Sequence, residues 1–151
     1  MFKLTKKTDY GLMAIHYIAL QDKEIIVNTK TIAEIYQIPL ELLAKILQRL
    51  AKKGIMISHQ NGPKGGYTLN KRPEDITIGE VIEAIEGPIH VIRCVDGEEE
   101  CLHIDRCAVR TPLQRIERNI IDLLNRITVD QMGREENTLP REETTLSTVE
   151  G

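Results

Sequence analysis

The chain has no tryptophan, four tyrosines and one phenylalanine, so a core has to be assembled from Leu, Ile, Val, Met and Ala. It also lacks a long apolar run. Gly11–Leu20, preceded by Lys3, Lys6 and Lys7, superficially resembles a secretion signal. Asp9 and His16 break that pattern, and no small-x-small cleavage site follows. No segment approaches the ~18 consecutive apolar residues of a membrane span. The expectation is a cytoplasmic protein with no membrane contact. There are no internal repeats. Cysteine is scarce, with Cys94, Cys101 and Cys107 the only three, all within fourteen residues. An odd, clustered set in a cytoplasmic chain speaks against a disulfide framework and for metal binding or redox chemistry. No nucleophile–base pairing or substrate-binding motif stands out, so an enzyme with a reactive cysteine lacks support.

What is present is organised by charge. Residues 1–73 hold 12 Lys/Arg against 5 Asp/Glu, a net +7, and residues 74–151 hold 8 against 18, a net −10. The overall −3 hides this division. A basic half can approach phosphates while an acidic half stays away from them. At 151 residues there is room for one compact domain with an appended element.

Periodicity fills in the order of elements. Leu12, Ile15 and Ala19, with Ile18 alongside, predict a first helix over Leu4–Leu20. Asn28 or Thr29 can cap a short helix to about Tyr36 that buries Ile32, Ala33 and Ile35. Pro39 suits the first turn of a third helix reaching Lys53 and stopping at Gly54, with Leu42, Leu43, Ile46, Leu47 and Leu50 inward. Strands are expected at Ile55–Ser58 and Tyr67–Leu69, joined by the turn Asn61-Gly62-Pro63-Lys64-Gly65-Gly66. Thr77-Ile78-Gly79-Glu80 has capping-box spacing and opens a helix ending near Gly87. After the cysteine segment, Pro112 starts a helix in which Leu113, Ile116, Ile120, Leu123 and Ile127 alternate steps of three and four. The expected organisation is a DNA-binding unit over 1–87, a cysteine loop over 88–111, a dimerisation helix over 112–130 and a disordered acidic tail over 131–151.

The resulting fold class is mostly α with a small β-hairpin wing: a winged helix-turn-helix followed by a long C-terminal dimerisation helix. In such a unit the helix before the hairpin enters the major groove and the wing follows the backbone or minor groove. The candidate contacts to double-stranded DNA are Thr29, then Glu41, Lys45, Gln48, Arg49 and Lys52 on the third helix. On the wing they are Asn61, Gly62, Pro63, Lys64 and Gly65. A winged helix used for protein contacts would not need the charge division.

The cysteines are spaced C-x6-C-x5-C, without the tight C-x2-C knuckles of zinc ribbons. Thiolates suit zinc, copper(I) and iron–sulfur clusters, and wide spacing can wrap more than one ion. Glu98, Glu99 and Glu100 disfavour bare thiolates nearby, and a cationic centre offsets that repulsion. An iron–sulfur cluster, zinc held with His103, a dithiol switch and inert thiols all stand open from the chemistry.

Leu4-Thr5-Lys6-Lys7-Thr8-Asp9-Tyr10, the wing Gly62-Pro63-Lys64-Gly65-Gly66-Tyr67, Ile78-Gly79-Glu80-Val81-Ile82 and the cysteine triplet together resemble the Rrf2 family of bacterial winged-helix regulators, with its IscR-like and NsrR-like branches. The resemblance covers about residues 1–130. It implies a homodimer with crossing C-terminal helices, and a cluster, [2Fe–2S] or [4Fe–4S], held by Cys94, Cys101 and Cys107 that modulates operator binding, most simply as a repressor. One branch places a histidine ligand three residues after the last cysteine, where this chain has Arg110. The other uses an aspartate near the N-terminus of the partner subunit, which Asp9 matches; His103 and His16 are the remaining options. The x6 spacing is one longer than that of these branches. The helix face Glu41, Ala44, Lys45 and Gln48 is this chain's own, so base preference does not transfer.

Overall fold

The computed structural model describes residues 3–60, 62–91 and 106–135. Three helices form the first layer: α1 (Lys6–Ala19), α2 (Thr29–Tyr36) and α3 (Leu40–Lys52). The inward face of α1 is Gly11, Ala14, Ile15 and Ile18, while Leu12 and Ala19 are only half-buried. The face is shifted because Gly11 admits α4: a Cβ there would lie 2.3 Å from Ile85 Cδ1. Asn28 caps α2, its side chain accepting from Lys30 N at 2.8 Å. Gln37, at φ 56°, ends α2 in the left-handed region and turns the chain into α3. Ile35 is exposed, contrary to the expectation from periodicity. The short helix needs only Ile32, Ala33 and Tyr36 inward, and the Tyr36 ring meets Tyr17 edge-on at 6.1 Å. On α3, Leu43, Ile46, Leu47 and Leu50 are buried and Leu42 is half-buried.

The hairpin follows. Strands β1 (Met56–His59) and β2 (Gly66–Leu69) pair antiparallel, Met56 opposite Leu69 and His59 opposite Gly66. A single 3-10 turn, Gly62–Lys64, forms the described part of the tip; Asn61 lies outside the described residues. Val27 bridges Tyr67 through two hydrogen bonds of 3.0 and 2.9 Å, which bind the wing to the segment before α2. Gly66 is required here, since a Cβ would stand 2.2 Å from Val27 O.

Helix α4 (Ile78–Glu86) is capped by Thr77 Oγ1, which accepts from Glu80 N at 3.1 Å. The capping box is one-sided, because the Glu80 carboxylate pairs with Lys71. Helix α5 (Arg110–Arg126) begins two residues before Pro112. Proline is tolerated within this first turn because the first-turn N–H groups have no intrahelical acceptor. Ile121, Leu124 and Ile127 pack on Ile78, Ile82 and Ile89 as a second, smaller core. Close approach depends on Gly79, whose Cβ would meet Asn125 Oδ1 at 2.1 Å. A bridge between Thr77 and Thr128 ties the end of α5 to the start of α4, with Ile78 N donating to Ile127 O at 2.8 Å. The chain then forms α6 (Val129–Glu135), so the expectation of a disordered tail from Gln131 is corrected for its first five residues. Buried Val129 and the packing of Gly133 on His16 supply the tertiary contact that polar composition conceals. Residues 136–151 lie outside the described part. Among the described residues no helix is long and apolar enough to cross a membrane.

Candidate DNA interface and cysteine site

The DNA candidates lie on α2, α3 and the hairpin, with Asn61 outside the described residues. Thr29 is the first residue of α2, at the end where its free N–H groups gather. Asn28 Nδ2 reaches Gly65 O at 3.4 Å, so this helix start and the wing are joined. Glu41, Lys45, Gln48 and Lys52 are exposed along α3, and Ala44 is half-buried. Gly62, Pro63 and Lys64 are exposed at the wing tip, where Gly62 takes φ 58°. Arg49 is placed differently from the other donors. Its Nη1 donates to Ile85 O at 2.8 Å, at the C-terminal turn of α4. A cation there also suits the helix dipole. Arg49, Lys52 and Lys53 also line an open cleft of about 760 Å³ together with Glu80, Glu83 and Glu86.

The five residues proposed for the dimer seam divide between two faces of α5. Leu113, Ile116 and Leu123 are exposed, Ile116 by 48% and Leu123 by 57%, and Ile120 is half-buried. Ile127 turns inward onto the second core. Sequence reasoning missed Val109, which is 57% exposed and lies four residues before Leu113, so it extends the outward stripe by a turn. The spacing signal was there; it fell ahead of the expected helix start.

Of the three cysteines, Cys94 and Cys101 lie outside the described residues, as do His103 and Glu98–Glu100. Cys107 is a free, half-buried thiol three residues before α5. Asp9 is exposed in the first turn of α1. His16 faces α6, its Nε2 2.8 Å from where a Gly133 Cβ would be. Among the described residues no three His, Cys, Asp or Glu side chains gather closely enough to hold a metal ion. The Nε of Arg110 is buried and has no hydrogen-bond partner among the described residues.

Two further contacts flank this site. Thr5 and Thr8 both donate to Glu86 Oε1, Thr8 at 2.8 Å, which fixes the start of α1 to the end of α4. Gly87, at φ 90°, then releases the chain toward the cysteine segment. On α5, Glu117 is 8% exposed and accepts from Val91 N at 2.7 Å. Sequence periodicity could have singled out Glu117, which stands where the inward row Ile121, Leu124 would continue with an apolar residue.

Residues 4–135 match the Rrf2 family, described as iron-dependent transcriptional regulators. The chain is 36% identical over 130 residues to the HTH-type transcriptional regulator IscR of Pectobacterium atrosepticum, covering 86% of this chain and 78% of that protein. It is 33% identical over 138 residues to the regulator NsrR of Shouchella clausii, covering 91% and 92%. Among solved structures it is similar to CymR, the global cysteine regulator of B. subtilis, with a TM-score of 0.68, 25% identity, and coverage of 89% of this chain and 98% of the other. A family match over 132 of the 151 residues and relatives at 33–36% identity show that the chain belongs to the Rrf2 family of transcriptional regulators.

Proposed function

We propose that this regulator is a cytoplasmic homodimer that represses transcription by binding a pseudo-palindromic operator, and that an iron–sulfur cluster held by Cys94, Cys101 and Cys107 sets its grip. The observation that carries the reading is the place of Cys107, a free thiol three residues ahead of a helix whose outward stripe is left exposed among the described residues. Three soft sulfurs in fourteen residues suit a cluster in donor chemistry. Arg110 Nε, buried and without a partner among the described residues, fits as well: an anionic centre held by thiolates would accept an N–H at that end of α5. Arg110 itself offers no ligand atom, so the fourth position falls to Asp9 of the partner subunit, His103 or His16. When bound, such a cluster supplies iron and sulfide reactive toward oxidants and nitric oxide and responsive to cluster supply.

On DNA, Thr29, Glu41, Lys45, Gln48 and Lys52 with the wing residues Asn61–Gly65 face the duplex. Arg49 instead serves as a strut between α3 and α4. The segment Pro88–Thr111 joins the DNA-binding unit to α5, so a change at the sulfurs alters the spacing of the two α3 helices. Anaerobic purification with iron and acid-labile sulfide counts, followed by operator selection with and without cluster, tests this. Visible absorbance, stoichiometric sulfide and a change in operator affinity on cluster removal are expected. A colourless protein carrying zinc, or three bare thiols, would refute the cluster reading and leave a zinc-dependent or thiol-redox regulator.

A further inference from the structure

Glu117 is a carboxylate 8% exposed on the inward row of α5, four residues before Ile121. Burying a carboxylate is costly unless it is hydrogen-bonded, and an apolar residue here would simply extend the second core. Among its partners is the backbone N–H of Val91, 2.7 Å away. Val91 stands three residues before Cys94. The far end of the cysteine segment runs through Cys107 directly into Arg110, the first residue of the same helix. Arg110 and Glu117 are seven residues apart, about 10 Å along the axis. Both ends of the segment are therefore fixed to α5, two turns apart, one covalently and one through this hydrogen bond. The entry side also returns to the DNA-binding unit within a few residues: Glu86 holds Thr8, and Ile85 O holds Arg49 of α3.

We propose that Glu117 is a positioning residue that anchors the entry of the cysteine segment to the dimer helix, so that the state of the sulfurs is felt by α5 at Val91 as well as at Cys107. This rests on the cysteines being the sensing site. The anchor has a ligand-independent signature, the exchange rate of the Val91 amide. Three variants separate the roles. Glu117→Gln keeps an acceptor oxygen, Glu117→Leu replaces it with core-like bulk, and Glu117→Ala removes it without adding bulk.

In the cluster-free protein, E117L and E117A should exchange the Val91 amide about tenfold faster than wild type, and E117Q should stay close to wild type. In anaerobically reconstituted protein, the visible chromophore should be lost on air exposure about tenfold faster in E117L and E117A. The ratio of operator affinities with and without cluster should fall toward one, while the cluster-free variants still dimerise. Unchanged Val91 exchange in both E117L and E117A would overturn the anchor. Faster exchange with wild-type cluster loss and a wild-type affinity ratio would overturn the positioning role and leave a structural contact. A wild-type protein that takes up no chromophore would sink the cluster reading by itself. The anchor would then be decided by Val91 exchange together with the iodoacetamide alkylation rate of Cys94, which should rise in E117L and E117A; an unchanged rate would overturn the proposal.

Discussion

Substituting Gly66 with alanine tests whether the wing is held by backbone contact rather than by its own turn. The added Cβ would stand 2.2 Å from Val27 O and 2.6 Å from Val27 C, both backbone atoms that cannot rotate away. The Val27–Tyr67 bridge must open, and with it hydrogen bonds of 3.0 and 2.9 Å. At about 0.5–1.5 kcal/mol net for each, the loss is about 1–3 kcal/mol. Reduced freedom of the unfolded chain returns about 0.4–1 kcal/mol, so net destabilisation of roughly 1–2 kcal/mol remains. With a urea slope of about 1–3 kcal/mol/M, the midpoint should fall by on the order of 1 M. The wing carries Lys64, so operator affinity should fall further than stability explains; a loss of roughly 1 kcal/mol of contact lowers it about fivefold. Gly62→Ala is the comparison. No described residue lies within 4 Å of its Cβ, and its φ of 58° is unfavourable, at about 1–2 kcal/mol. Amide protection at Val27 should survive in G62A and disappear in G66A. A G66A protein with wild-type urea midpoint, Val27 protection and operator affinity would refute the reasoning.

Neutralising Lys45 or Lys64 should weaken operator binding and shallow its salt dependence, whereas Arg49→Ala should weaken binding with the salt slope unchanged, because that guanidinium is spent on Ile85 O; filter-binding titrations across salt concentrations distinguish the two. Ile120→Glu should give monomers that bind DNA poorly, and a dimer persisting in sedimentation velocity would exclude this seam. Cys107→Ala should abolish the visible chromophore. Asp9→Ala should leave it but hasten its loss if Asp9 is the fourth ligand, or cost about 0.3–1 kcal/mol of stability with unchanged spectra if it only favours the α1 dipole.

Local chemistry made much of this fold legible. Asn28 and Thr77 cap helices where their side chains can accept from nearby backbone N–H groups, and the glycine-rich stretch before Tyr67 marks a turn. The inward row of α3 follows helical periodicity, since one broad face meets the core. What was not legible depends on partners distant in sequence. Ile35 fits an apolar pattern yet is exposed, because Tyr36 takes the inward place against Tyr17. Helix α6 looks polar, but the bridge at Thr128 and the buried Val129 hold it. Arg49 shares composition with Lys45 and Lys52, and only the Ile85 carbonyl distinguishes its role. Ile127 fits the seam by spacing, but the second core claims it.

These attachments determine how α5 can move. Its C-terminal end is fixed to the start of α4 by the Thr77–Thr128 bridge, the Ile127 carbonyl and the close seat of Asn125 on Gly79. Near its midpoint Glu117 accepts from Val91 N, and its N-terminal end follows Cys107 in the chain. Under the proposed sensing at the sulfurs, a displacement that begins there would pivot about the fixed end. Seventeen residues span about 25 Å, so a tilt of about 5° would move the Arg110 end by about 2 Å. The outward stripe from Val109 to Leu123 lies along that moving length, while α3 is locked to α4 through Arg49. In the proposed dimer joined along the stripe, the same small tilt would be taken up as a change in the relation between the two DNA-binding units. Operator spacing would then read it, since the distance between the two major-groove helices sets the half-site separation.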